Sequence, residues 1–436
     1  MSSWWYLSKL SSAITLSSNL QRKQASSRES YMEQSWIERH KTAIKLAIIG
    51  FVTLFTAIAL TIWYTWDRPL VSPLSDLPIF RFLQKTDFST GDKKVVYGFL
   101  PYWNLDDVAL QPELTNLAYF SLTINADGSL QTTLNGGGEP GFNKLSSDTL
   151  LDLSSTFIKR GGTVELVLSQ FYASDIDAFL ASDKAQQKLL DSLDSVILSY
   201  PISGINVDME YVGTPATRTR EQFTQFMIRL REHLNTRYNN IKLSTDVYAS
   251  AANTPNLWDI EAIAPHLDYI VIMAYDFHRR SSPQAGPVAP LFGGNKLWDS
   301  DINTHLREFV KIVPPQKLLL GVPFYGYEWQ TTTRDSQSHT FPDSGSTASF
   351  KRVLELLTRK DELKVQEHWN EEALSPYLSY QEDGEIYVIY YENSRSISYK
   401  LDYVNQLNLG GIAIWALGYE GDSRELWDVI SRKLHQ

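Results

Sequence analysis

The sequence predicts an α/β protein: a (β/α)8 (TIM) barrel with a small α+β insertion between strands seven and eight, preceded by one transmembrane helix. Three observations predict it. Eight short apolar runs recur between Val95 and Trp415, with amphipathic stretches between most of them. Strands alternating with helices pair in parallel, and eight of them over about 340 residues suit a barrel with insertions. One gap of about 90 residues, between the last two runs, breaks the rhythm. Ahead of all this, Leu46–Trp66 holds no charged residue, about the length a helix needs to cross a bilayer.

Residues 1–42 are polar and serine-rich, and little fixed structure is expected there. The transmembrane helix is placed at 43–66, with Trp63, Tyr64 and Trp66 crowding one end as interfacial aromatics do. Before it stand Lys9, Arg22, Lys23, Arg28, Arg39, Lys41 and Lys45 against Glu29, Glu33 and Glu38. The positive-inside rule then puts the amino terminus in the cytoplasm and everything after Asp67 outside. Residues 67–93 read as an extracytoplasmic tether. The barrel occupies 94–436. Its strands are expected at Val95–Leu100, Leu117–Leu122, Val164–Leu168, Gly204–Asp208, Ile241–Val247, Tyr269–Ala274, Lys317–Val322 and Gly411–Trp415. Gln222–Leu234 spaces Phe223, Phe226, Met227, Leu230 and Leu234 as one helix face. In the insertion, about 328–395, a helix is expected at Phe350–Thr358, and Glu385–Tyr391 alternates.

Composition narrows the function. The chain has 436 residues, 43% of them hydrophobic, a formal net charge of −10 and no cysteine. A broad nucleic-acid surface is not expected at that charge. Disulfides and thiolate metal sites are excluded. His266, His278 and His339 lack metal-ligand spacing, and no metal or other cofactor is expected.

The fourth strand carries the chemistry. Asn206, Asp208 and Glu210 stand two apart, with apolar Ile205, Val207 and Met209 between them. A strand sends alternate side chains to opposite faces, so three polar residues share one face. Active sites of such barrels lie at the carboxyl ends of the strands. Asp246 and Tyr248 end the fifth strand, Tyr275 and Asp276 the sixth, Tyr325 the seventh and Trp415 the eighth. Carboxylates walled by aromatics suit sugars. Glu210 is the best acid candidate, because a neighbouring anion such as Asp208 raises a carboxyl pKa. Tyr102 and Trp103, after the first strand, form either a stacking platform or simple core. Asp276 serves the site or pairs with Arg279. Tyr325 and Trp329 are candidate cleft walls. The plain alternative for the fourth strand is an exposed face or a structural network.

The run Gly204-Ile205-Asn206-Val207-Asp208-Met209-Glu210 resembles the fourth-strand motif of glycoside hydrolase family 18, the chitinase family. Met273-Ala274-Tyr275-Asp276 and Gly321-Val322-Pro323-Phe324-Tyr325-Gly326 resemble its sixth- and seventh-strand motifs, and Trp415 falls where the family has its sugar-floor tryptophan. Trp369–Ala373, Tyr390–Asn393 and Trp415–Glu420 look most like the bacterial spore-cortex and cell-wall branch. The resemblance implies that Glu210 protonates the glycosidic oxygen while the substrate's own 2-acetamido carbonyl attacks the anomeric carbon, with retention. Asp208 would orient the acetamido group with help from Tyr275, and Asn206 would buffer Asp208. Tyr325, Asp276, Tyr102, Trp103 and Tyr248 would help bind an N-acetylglucosamine-containing polysaccharide, peptidoglycan first and chitin-type chains second. Three positions depart from the pattern. Ser203 and Asn206 stand where many members have aspartates, and the third strand reads Ser169-Gln170-Phe171 where chitinases usually carry Ser-x-Gly-Gly. The rival reading is a non-catalytic glycan-binding protein of the cell envelope; a structural envelope protein is a third.

Overall fold

The computed structural model describes residues 41, 45, 46, 49–57 and 93–434. Residues 49–57 are helical and their side chains exposed. Most of the expected membrane span, and nearly all of the expected cytoplasmic segment and tether, lie outside the described residues. Among the described residues no helix is long and apolar enough to cross a membrane.

Eight parallel strands close a barrel. They are β1 (Val95–Pro101), β2 (Asn116–Thr123), β3 (Thr163–Gln170), β4 (Gly204–Met209), β5 (Lys242–Tyr248), β6 (Tyr269–Met273), β7 (Leu318–Pro323) and, far along the chain, β13 (Gly411–Trp415). β13 fits between β7 and β1, and every other strand lies beside its sequence neighbour. These strands read as apolar runs because both faces are covered. One face packs on the outer helices. Phe223, Phe226, Met227, Leu230 and Leu234, on the helix Thr217–Arg237, are buried there as their spacing predicts.

The other face fills the lumen, and the filling is lopsided. Tyr97, Phe99, Ala118, Phe120, Val271, Leu319 and Ala413 supply an apolar arc from β6 around to β2. The strands between, β3 to β5, add only Val167 to that arc and otherwise supply Glu165, Asn206, Asp208, Ser244 and Asp246, all buried. An inward arc of acids and amides is a costly way to fill a barrel unless its groups are paired or used.

The insertion is a five-stranded antiparallel sheet. Its strands are β8 (Tyr325–Thr331), β9 (Ser346–Ser349), β10 (Gln366–Asn370), β11 (Ser375–Glu382) and β12 (Glu385–Tyr390), in the order β9-β8-β12-β11-β10. The expected helix is present at Phe350–Thr358, with Ser349 accepting from the Arg352 N–H as its cap. One residue, Phe324, separates β7 from β8. It is fully buried against Trp427 (ring centroids 5.6 Å apart). Its N–H donates to the Trp415 carbonyl at 2.7 Å, and its own carbonyl accepts from the Phe350 N–H at 2.9 Å. Phe324 thus passes the chain from barrel to insertion in one buried step, bonded to the end of β13 on one side and to the insertion helix on the other.

Candidate active site

β4 ends at Met209, so Asp208 points into the top of the lumen and Glu210 is the first residue beyond the strand. The Glu210 N–H is fixed by the Gln170 carbonyl at 3.0 Å. Its carboxylate accepts a hydrogen bond from the Tyr248 hydroxyl. Burial raises the Glu210 pKa; the Tyr248 hydrogen bond and the nearby Arg279 charge pull it back, and Asp276 pushes it up. The sequence argument credited Asp208 with this shift. Burial comes first, because the carboxyl is walled from water before any neighbour acts on it.

Asp208 is 4% exposed and its Oδ1 has no hydrogen-bond partner. Burial, then the charges of Asp246 and Glu210, hold its pKa well above the aspartate range. Asn206 is fully buried. Its Nδ2 donates to Asp246 Oδ1 at 2.8 Å and to Ser244 Oγ at 3.0 Å. Tyr275 lies beside these acids: burial and the charges of Asp246, Asp276, Asp208 and Glu210 all make its hydroxyl harder to ionise. The hydroxyl therefore remains a donor. Asp276 takes the left-handed conformation at φ 62°, a strained state for a residue with a side chain. Its Oδ1 accepts from the hydroxyls of Tyr325 and Tyr327, the latter at 2.9 Å. Of the two roles open to Asp276, its carboxylate is occupied by these tyrosines, and Arg279 Nε reaches its backbone oxygen at 3.2 Å.

The aromatics divide. Trp415 packs edge-to-face on Phe120 (4.7 Å) and tilted on Phe99 (5.6 Å), half-buried at the end of β13. Trp103 keeps 46% of its surface exposed, crosses Tyr102 at 4.9 Å and Phe120 at 6.2 Å, and hydrogen-bonds the Tyr419 hydroxyl. Tyr102 supports Trp103 from beneath. Tyr325 is 5% exposed with its hydroxyl on Asp276, so it braces Asp276. Trp329 is wholly buried, its indole N–H shared between the carbonyls of Arg279 and Arg280 at 3.2 Å each. It is core and not a cleft wall, because no part of it is open to solvent.

The sequence departures have local reasons. Ser203 lies below the site, where its Oγ accepts from the Val164 N–H at 2.9 Å and ties β4 to β3. Gln170 folds its side chain forward, and Oε1 accepts from the N–H groups of Phe171 and Tyr172 at 2.9 Å each. That bend presents Phe171 and Tyr172 outward, 42% and 71% exposed, with Phe171 stacked 6.4 Å from Phe120. Phe120, Phe171, Tyr327 and Gln170 were not singled out as site residues. Tyr327 was readable, since it stands two residues from Tyr325 on one strand face; Phe120 looks like any barrel phenylalanine.

The family profile for glycosyl hydrolases family 18 matches residues 94–420. A cortical fragment-lytic enzyme of Bacillus anthracis is 24% identical over 319 residues, covering 71% of this chain; the match spans 66% of that relative's length. A class V chitinase of Arabidopsis thaliana is 26% identical over 319 residues, 67% of this chain and 77% of the relative. In three dimensions, the group IV chitinase of Ostrinia furnacalis, solved with allosamidin, superposes with a TM-score of 0.67 at 22% identity, over 79% of this chain and 99% of that one. With the profile running from the first barrel strand past the last, the chain belongs to glycosyl hydrolase family 18.

Proposed function

We propose that the protein is a membrane-anchored, extracytoplasmic glycosidase that cuts β-1,4-linked N-acetylglucosamine polymers by substrate-assisted, retaining hydrolysis. One observation carries the reading. Glu210 sits at the lumen rim with burial favouring its proton, two residues past a buried Asp208 whose Oδ1 is unpartnered. A protonated carboxyl can donate to a leaving oxygen. A buried acceptor without a partner is poised for a substrate donor, and an acetamido N–H is such a donor.

The residues then divide the work. Glu210 gives its proton to the glycosidic oxygen. As that bond breaks, the substrate's acetamido carbonyl oxygen bonds to the anomeric carbon from the opposite face. Asp208 holds the acetamido N–H and balances the positive charge that develops, and the Tyr275 hydroxyl supports the same group. A water then attacks the anomeric carbon as the acetamido oxygen leaves it, and passes a proton to Glu210, so the configuration is retained. Trp415 offers a ring face beneath the sugar, and Trp103 a second, exposed one. Asn206, on the same strand face as Asp208, would buffer it, its amide N–H being held by Asp246 and Ser244.

Peptidoglycan is the first-choice substrate, supported by the likeness to the cortical fragment-lytic enzyme of Bacillus anthracis and by the charge-free stretch Leu46–Trp66, which would hold the barrel near the envelope. Full-length protein in detergent, beside a Glu210→Gln twin, should be incubated with N-acetylglucosamine oligomers and purified peptidoglycan. Cleavage by the parent alone, read by mass spectrometry of the products, is expected. Binding without cleavage by either would move the protein to the glycan-binding reading. Carbonate extraction of membranes tests the anchor, and release of the full chain into the supernatant would refute it.

A further inference from the structure

Asn206 and Asp246 reach across two neighbouring strands inside the barrel. The register sets Asn206 beside Ser244 and Val207 beside Thr245. The next inward positions on these strands are Asp208 and Asp246, 4% and 2% exposed. Asn206 Nδ2 donates to Asp246 Oδ1 at 2.8 Å and so fixes which way that carboxyl faces. The oxygen of the same amide and Asp208 Oδ1 have no partner. An amide at 206 cannot share a proton with Asp208. A carboxyl one strand over can.

We propose that Asp246 is a positioning residue for the reaction: oriented by Asn206, it does from β5 what a second acid on β4 would do, and sets the charge of Asp208. This rests on the glycosidase reading above. Three acids, Asp208, Glu210 and Asp246, meet at one buried end of the lumen, where each opposes the ionisation of the others. Among charged neighbours Asp246 acts most strongly on Asp208, with Glu210 second. Glu165 on β3 and Tyr97 on β1 face Asp246 from below, and Tyr275 faces it from the end of β6. At rest one proton is held within the Asp208–Asp246 pair. When Glu210 releases its own proton to the leaving oxygen, the pair's proton sits on Asp246 and Asp208 is the anion that meets the acetamido N–H. No proton enters or leaves the pair, and a nearby positive centre on the sugar offsets the new charge.

The decisive variants move the acid without removing it. Asp246→Asn keeps the shape and an acceptor for Asn206. It is expected to lower kcat about tenfold to a hundredfold with KM little changed, because an Asp208 charged from the outset holds back the proton that Glu210 must give up. The double variant Asn206→Asp/Asp246→Asn, which returns the carboxyl to β4, is expected to recover to within about threefold of the parent. A merely structural Asp246 predicts a near-parent Asp246→Asn, or a loss that the double variant does not restore; either overturns the proposal. A second readout needs no turnover. In protein carrying 13C-labelled aspartate carboxyls, the resonance missing from an Asp208→Asn variant reports Asp208. It should titrate at lower pH in Asp246→Asn than in the parent, because one repelling charge is gone. If the parent cuts no glycan, the glycosidase reading fails, and an unshifted Asp208 titration in Asp246→Asn still overturns the coupling on its own.

Discussion

Two buried acids share the barrel lumen and are treated in opposite ways. Glu165, at the lower end, is fully enclosed and accepts from three side chains: Asn116 Nδ2 at 2.9 Å, Ser244 Oγ at 2.8 Å and the Tyr97 hydroxyl at 3.0 Å. Asp208, at the upper end, is nearly as enclosed, yet its Oδ1 accepts from nothing. Burial raises the pKa of both. At Glu165 the three donors oppose the shift, whereas at Asp208 two further carboxyls reinforce it. The difference separates an acid that the protein satisfies for its own sake from one whose satisfaction is left to something that arrives. Burial alone does not distinguish them; the partner inventory does.

The comparison breaks most visibly at the rim above Asp208. Glu210→Gln should cost about 10²- to 10⁴-fold in kcat while oligosaccharide binding persists, measured by product release and by titration calorimetry. A variant with near-parent turnover would remove Glu210 from the acid role. At the other end, Glu165→Ala strands three donors and should cost about 3 kcal/mol of stability. Chemical denaturation should show it, with activity per folded molecule close to the parent's. A large loss of kcat in the folded fraction would mean that the lower acid is not merely structural.

Asp208→Asn sharpens the contrast in the opposite direction. Burial and like charges make the folded chain hold this proton above the ordinary aspartate value of 3.8. Across that window the folded state binds more protons than the unfolded one, so stability falls as pH rises. An asparagine has no such cost. The variant should lose most of its activity yet gain about 1–2 kcal/mol at neutral pH, a Tm higher by a few degrees. The gain should vanish below about pH 4, and a calorimetric pH series checks it. The smallest expected effect is at Tyr248. Its hydrogen bond lowers the Glu210 pKa, so Tyr248→Phe should let that pKa rise. The alkaline limb of the kcat profile should then move to higher pH; a shift to lower pH would contradict the assigned direction.

Much of this arrangement was legible in the sequence, and the reasons are physical. Parallel strands covered on both faces are apolar throughout, so all eight barrel strands stood out as runs, within a residue or two of their ends. The alternation at 206, 208 and 210 was legible because a strand converts spacing into a shared face. The lower acid was not legible. Glu165 in Thr163–Gln170 looks like one charge in an apolar run, and its three partners are distant in sequence: Tyr97, Asn116 and Ser244 meet it only when the barrel closes. Asp246 was visible at a strand end, but its bond to Asn206 depends on the β4–β5 register, which no local pattern encodes. Trp329 misled because aromatics after a barrel strand are equally at home in a cleft or a core.

Phe324 has a mechanical consequence. The last residue of the barrel strand that carries Trp415 and the first residue of the Phe350–Thr358 helix in the insertion are both bonded to this one buried residue. A junction of that length leaves little slack for a pivot, so the insertion and the Trp415 strand should move as one piece. A sugar bound there would then meet surfaces already set in place, and binding would cost the protein little rearrangement.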